Sequence, residues 1–215
     1  MSTATTINPP LIPPSPRRGE PAWNVALLFP DQGAWTEADY LALDTNRLVE
    51  LVDGYLEVLP MPIPLHQLIV QFLFKLLDAF VIAHVPGQVF VAPMPIRLQP
   101  GRFREPDVLY LRPERLTDLR RQPDGAELAI EVVSEGAEAR ERDLVTKRQQ
   151  YAQAGIAEYW IVDPESQQIT VLTLDGQTYR EHGVFGKGGR ATSVLLSGFV
   201  VDVDAVLAAG QEGTR

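Results

Sequence analysis

Leu128 to Val133 is a near-continuous apolar run broken by a single acid, and that combination narrows the possible folds sharply. A strand that is apolar on both sides has to be covered on both faces, so it belongs inside a sheet packed between other layers. Glu131 sits within the run, between Ala129-Ile130 and Val132-Val133. A carboxylate is rarely buried unless it is paired or bound to a metal. The same strand therefore predicts an architecture and a place where chemistry collects.

The surrounding patterns supply the layers. Leu65 to Val85 carries Ile69, Phe72, Leu73, Leu76, Leu77 and Phe80 at helical spacing. His66, Gln67, Gln71, Lys75, Asp78 and His84 interrupt it, so it reads as a buried core helix and not as a membrane span. Arg47 to Val52 and Tyr55 to Leu59 alternate around Asp53-Gly54, a strong hairpin signal. Thr36, with Asp39 three residues on, predicts a helix N-cap. Pro86-Gly87 ends the long helix. Gln88 to Leu98 then reads as one strand, irregular at Pro93 and Pro95, and Pro106 to Leu111 as the next strand after the Pro100-Gly101 turn.

Helix signals span Glu138 to Ala154, with Gly155 as terminator. Tyr159 to Val162 is a second buried strand. Ile169 to Leu174 and Thr178 to Arg180 flank Asp175-Gly176 as a second hairpin, and Gly183 to Gly189 reads as a loop. There is no internal repeat. The order of hairpin, helix, three strands, helix, strand and hairpin predicts an α/β fold, a mixed sheet flanked by helices. The domain is expected over 35–206. A flexible Pro-rich tail is expected over 1–34 and a flexible C-terminal tail over 207–215.

Composition removes several chemistries. The chain of 215 residues has no cysteine, which excludes disulfides, zinc-thiolate sites and cysteine nucleophiles. His66, His84 and His182 form no pair with ligand spacing, so zinc is not expected. No Ser-His-Asp order or nucleophile elbow is present. The N-terminus lacks a basic region followed by an apolar run, and the expected location is cytoplasmic. The net charge of -9 argues against a broad electrostatic grip on nucleic acid. The excess is uneven, however. Residues 97–148 hold 11 basic and 11 acidic residues, while 8 basic and 17 acidic residues lie elsewhere.

The candidate chemistry lies in that balanced stretch. Asp107 opens a strand just after Pro106, and Glu131 lies in the next. If the two strands are adjacent, both carboxylates and the Val132 backbone carbonyl can reach one hard divalent cation such as Mg²⁺ or Mn²⁺. Such an ion suits phosphodiester hydrolysis, with Lys147 one helix later to orient water or stabilise the phosphate. Asp143 and Lys147 are spaced i, i+4, which by itself describes an exposed helix ion pair. Tyr151 continues the stripe as a packing residue or a cap on the site. His66 reads as a helix-start or capping residue that can also point into a cleft, and Glu50 as a half-exposed strand acid that can line it.

Together these residues resemble the Uma2 family (DUF820) of restriction-endonuclease-like proteins. The resemblance rests on Glu50-Leu51-Val52-Asp53-Gly54, His66-Gln67, Arg104-Glu105-Pro106-Asp107-Val108, Glu131-Val132-Val133-Ser134, Asp143 with Lys147 and Tyr151, and Ala154 to Pro164. It covers about Thr36 to Asp204. It implies the PD-(D/E)XK core, here with an N-terminal hairpin, and metal-binding roles for Asp107 and Glu131. The superfamily's motif lysine is replaced by Val133, and the family pattern puts a lysine on the following helix, matching Lys147. The implied activity is a Mg²⁺-dependent DNA endonuclease, with a homodimer supported by an exposed sheet edge or the hairpin. Two other readings stay open: a non-catalytic interaction module on the nuclease fold, and a hydrolase for a small phosphorylated substrate.

Overall fold

Thr36 starts the first helix with a capping box. Its hydroxyl accepts from the Asp39 amide at 3.2 Å, while the Asp39 carboxylate accepts from the Thr36 amide at 3.1 Å, so α1 (Glu37–Leu41) begins where the sequence predicts. The computed structural model describes residues 28–45 and 47–210. Most of the expected Pro-rich tail, and residues 211–215 of the expected C-terminal tail, lie outside the described residues.

The predicted first hairpin is β1 (Val49–Val52) and β2 (Tyr55–Val58). Asp53 and Gly54 both sit at positive φ, 51° and 87°, as a type I′ turn requires. Gly54 is needed for a second reason: a Cβ there would stand 2.6 Å from the Gly33 carbonyl oxygen. Gly33 donates its amide to the Gly54 carbonyl at 2.8 Å, and Gln32 bridges to Leu56. The ordered contacts thus begin ahead of residue 35.

The long helix is α2 (Pro64–His84), with Pro64 in the first turn, where its missing N–H costs nothing. By length and composition it could cross a membrane. Its Ile69, Leu73, Leu77 and Val81 are nevertheless buried in the core, each contributing about 1.5–3 kcal/mol of apolar burial.

The Gln88 to Leu98 segment departs from the sequence reading. It is two strands in two sheets, β3 (Gln88–Val91) and β4 (Ile96–Gln99), separated by Pro93 and Pro95. Proline supplies no amide to a ladder, so the chain leaves one sheet there and enters the other. β5 (Arg102–Arg104) follows the Pro100-Gly101 turn and was not predicted. One four-stranded antiparallel sheet has the order β2-β1-β5-β4.

The larger sheet adds β6 (Val108–Leu111), β7 (Leu128–Val132), β8 (Glu158–Asp163), β9 (Gln168–Asp175) and β10 (Thr178–Gly186). Its order is β10-β9-β8-β7-β6-β3. Every pair in it is antiparallel except β7–β8. That parallel pair is joined by the crossover α3 (Ala137–Glu141), a π-helical turn (Arg142–Thr146) and α4 (Lys147–Gln153). The predicted helix over this region is therefore broken by a wider turn. Gly183 and Gly186 lie in β10, so the predicted loop shrinks to the residues beyond it.

β11 (Arg190–Thr192) and β12 (Val200–Asp202) pair with each other and lead into α5 (Val203–Ala209). The expected tail boundary at 206/207 falls inside this helix.

Two cores line the faces of the large sheet. On one face Val108, Ile130, Trp160 and Val171 meet α2, Val203 and Val206. On the other, Leu109, Ala129, Ile161 and Leu172 meet Tyr151 and Ala152 of α4. A third, smaller core of Tyr40, Val49, Leu51 and Phe103 joins α1 to the small sheet.

Candidate active site

The site forms where β6 begins and β7 ends. The two strands are antiparallel neighbours, with Val108 opposite Ile130, so Asp107 arrives beside the end of β7. The Val132 amide donates to Asp107 Oδ2 at 2.7 Å. Val133, just past the end of β7, donates the other way, to the Val162 carbonyl of β8. An extended residue directs its N–H and C=O to the same side, so the Val132 carbonyl also faces Asp107 and His66.

Strand alternation turns Glu131 to the α4 face, the face of Ala129 and Val133. There Lys147 Nζ donates to Glu131 Oε1 at 2.8 Å, and the Tyr151 hydroxyl donates to the same oxygen at 2.6 Å. Lys147 Nζ also lies 3.5 Å from Glu50 Oε1 and 3.7 Å from Asp143 Oδ1. The π-helical turn tunes this arrangement. Lys147 donates its amide to Arg142, five residues back. The Asp143 carbonyl, which that amide would engage in a regular helix, accepts the Tyr159 hydroxyl at 2.8 Å. Such single π turns recur at functional sites.

The second sheet closes the cluster from its far side. Glu50 on β1 is fully buried. Its Oε2 accepts from Arg104 at 2.5 Å and its Oε1 from the Glu105 amide at 2.9 Å. Arg104 continues to Glu57 and to Gln150 of α4. His66, from the first turns of α2, brings Nε2 to 3.2 Å from Asp107 Oδ2, while its buried Nδ1 has no hydrogen-bond partner. A cavity of about 270 Å³ is lined by His66, Glu105, Asp107, Glu131, Asp143 and Lys147, among others.

Three acids, Glu50, Glu131 and Asp143, lie within 4 Å of Lys147, Asp107 stands close to Glu131, and Arg104 and Arg142 pair with Glu50 and Asp143 from the sides. The imbalance is visible in the affinities for protons. Burial, and then the charges of Asp107, Asp143 and Glu50, push Glu131 up to about 8 against the pull of Lys147. Burial, with Asp107 and Glu50, raises Asp143 against the pull of Lys147 and Arg142. Lys147 is pulled down by burial but raised further by Glu131, Glu50 and Asp143, and it stays charged. Burial opposes a charge on His66, yet the Asp107 hydrogen bond and charge, with Glu131 and the Val132 carbonyl behind them, hold it above its ordinary value. Glu50 alone goes down: burial would raise it, and Lys147 and Arg104 outweigh that.

The donor set fits a hard cation. Among the described residues, hydrogen bonds engage Asp107 Oδ2 and Glu131 Oε1 and leave Asp107 Oδ1 and Glu131 Oε2 free. With the Val132 carbonyl these are oxygen donors, and the excess of negative charge is what a divalent ion relieves. No group of three His, Cys, Asp or Glu side chains among the described residues is arranged as a metal cage.

Each sequence-predicted residue has a definite place. Asp107, Glu131, Lys147, Asp143 and His66 share the cavity, and Tyr151 and Glu50 are hydrogen-bonded or charge-paired behind it. Three bland expectations are corrected. Asp143 and Lys147 are 2% exposed, so their spacing is not an exposed ion pair. Glu50 is buried because β1 turns it onto Arg104, the Glu105 amide and Lys147. His66 does not cap α2, whose N-cap Ile63 makes no side-chain bond. Arg104, Glu105, Glu57 and Gln150 were missed as partners. The signal was present: an arginine and a glutamate directly before Pro106-Asp107, flanked by apolar residues.

No curated protein sequence matches this chain. Its fold is similar to a solved structure described as "a putative nuclease belonging to DUF820 from Anabaena variabilis ATCC 29413". The TM-score is 0.68 at 16% identity, covering 82% of this chain and 99% of that one, a likeness of fold alone. The sequence pattern of the Uma2 family, described as "Putative restriction endonuclease", matches residues 37–204. That span contains all three sheets and every residue of the cluster, and the chain belongs to the Uma2 family.

Proposed function

We propose that the protein is a metal-dependent nuclease that hydrolyses phosphodiester bonds in DNA. The observation that carries this reading is the meeting of Asp107, Glu131 and Lys147 at one cavity, with an unengaged oxygen on each carboxylate. Membership of a nuclease-like family supports the reaction class.

Asp107 Oδ1, Glu131 Oε2 and the Val132 carbonyl would hold Mg²⁺ or Mn²⁺. When bound, such an ion acidifies water and offsets the charge that builds on a phosphate. Lys147 remains protonated among its three acids, so it works as a donor and not as a base. It fixes Glu131 and presents charge to water or a phosphate oxygen. Tyr151 holds the same Glu131 oxygen and sets its rotamer. His66 steadies Asp107 through Nε2. Glu50, tied to Arg104 and the Glu105 amide, is a positioning residue for Lys147.

The test is cleavage of labelled DNA with and without Mg²⁺ or Mn²⁺ in the wild type and in Glu131→Gln. The expected result is metal-dependent cleavage that the substitution abolishes. Undiminished cleavage by Glu131→Gln would sink the assignment. The small volume at the acids favours a second reading, hydrolysis of a small phosphorylated compound. Turnover of p-nitrophenyl phosphate or its diester, with DNA left intact, would select it.

A further inference from the structure

The acids do not lie open to solvent. Glu131 is 3% and Lys147 2% exposed, beneath a rim formed by Pro60, Met61 and Pro62. The cavity above them is one of four that share walls in series. The first, of about 590 Å³, meets the second at Leu41 and Gln122. The second, of about 260 Å³, meets the site cavity at Leu48, Pro93 and Glu105. The site cavity meets the fourth, of about 650 Å³, at Met61, His66, Val132 and Ser134.

The two ends differ in chemistry. Arg120 and Arg121 line the first cavity and Arg47 the second; all three are exposed, and none is ion-paired among the described residues. The neighbouring Arg97 and Arg115 are tied to Glu37, Asp124 and Glu127. The far cavity has an apolar wall of Ile63, Leu65, Ile69 and Leu207, with Glu135, Arg140 and Glu165 also lining it. Its volume is in the range of about 300–1,000 Å³ that takes small organic groups. A track of free arginines, then buried acids, then a pocket with an apolar wall matches a phosphate backbone followed by an unpaired base.

A B-form duplex cannot use this path. It is a stiff rod, with a persistence length of about 50 nm, and its paired backbone cannot bring a phosphate down to Glu131 and Lys147, which are 3% and 2% exposed. The net charge of -9 also argues against a broad electrostatic grip on a duplex. A single strand bends freely and exposes bases for insertion.

Resting on the nuclease reading above, we infer that the four cavities form one channel that admits single-stranded DNA, or the splayed arm of a duplex, and excludes an intact duplex. The experiment uses the full chain and fluorescent oligonucleotides: a single strand, a duplex with one splayed arm, and a duplex capped by hairpins at both ends. Binding is read by anisotropy without divalent ions, and cutting with Mn²⁺. The single strand should bind at least ten-fold more tightly than the capped duplex. The double variant Arg120→Ala/Arg121→Ala, on exposed loop positions, should weaken single-strand binding about ten-fold. It should also flatten the slope of log K against log salt by about 1.4, the loss of two phosphate contacts.

Equal binding of the capped duplex, or no effect of the arginine variant, overturns the channel. Cutting of the capped duplex as fast as the single strand also overturns it while leaving the nuclease reading intact. Arginine-dependent binding of the single strand with no cutting supports the channel and removes the nuclease reading.

Discussion

Glu131 and Glu158 are buried acids on neighbouring strands of one sheet, and the protein holds them in opposite ways. Glu158 has donors on both oxygens. Trp160 Nε1 and Ser193 Oγ donate to Oε1 at 2.7 and 2.6 Å, and the Val194 and Leu195 amides donate to Oε2 at 2.7 and 2.9 Å. Glu131 has both of its donors on one oxygen and three other acids nearby. The first arrangement pins the 193–195 segment to β8 and is complete without any ligand. The second is unfinished, and its surplus charge faces a cavity. Burial alone does not separate a structural acid from a functional one; the distribution of donors does.

That contrast can be broken experimentally. The largest effect is expected from Glu158→Ala, which strands four donors. Urea unfolding should show a loss of about 4–5 kcal/mol, and a loss under about 1 kcal/mol would mean that Glu158 is not a structural clamp. Lys147→Met should cost somewhat less. It removes the cation among three acids, and unfolding at pH 8 should show a loss of about 3 kcal/mol. The loss should shrink at pH 5.5, where the acids can take up protons.

The pH dependence of the metal-free wild type comes next. Glu131 binds its proton more tightly folded than unfolded, about 8 against 4.5. The folded state therefore holds more protons between those values, and stability falls as pH rises through that window. His66, also raised, acts with the same sign. Denaturant midpoints should drop between pH 5.5 and 8.5 by an equivalent of roughly 1–3 kcal/mol, and Glu131→Gln should flatten that slope. The smallest effect is expected from Glu131→Gln itself at pH 7.5 without metal. The amide keeps an acceptor for Tyr151 and Lys147 and mimics the protonated carboxyl that predominates below about 8, so stability should stay level within about 1 kcal/mol. A loss as large as that of Glu158→Ala would erase the distinction between the two acids.

The parts of this arrangement that were legible in the sequence are those with local signals. Leu128 to Val133 announced a buried strand, and Glu131 stood out because a charge there needs a reason. Asp53-Gly54 marked a hairpin, and the stripe from Ile69 to Phe80 marked α2. β5 was hidden because three residues between a Pro-Gly turn and Pro106 are too few to show alternation. The split of 88–99 between two sheets depends on where the chain is led, which the two prolines hint at but do not specify. Glu50 looked half-exposed because its strand pattern cannot reveal a partner more than fifty positions on, Arg104. The burial of Asp143 and Lys147 likewise follows from the second sheet closing over them, and the π-helical turn leaves no mark in residue spacing.

The most direct measurement is calorimetric titration of Mn²⁺ into the wild type and into Glu131→Gln, with circular dichroism to establish that both are folded. The expected result is about one ion bound per wild-type chain, a melting temperature raised by the ion, and neither effect in the variant. Absence of binding to the folded wild type, or equal binding by Glu131→Gln, would contradict the assignment of this cavity as a cation site.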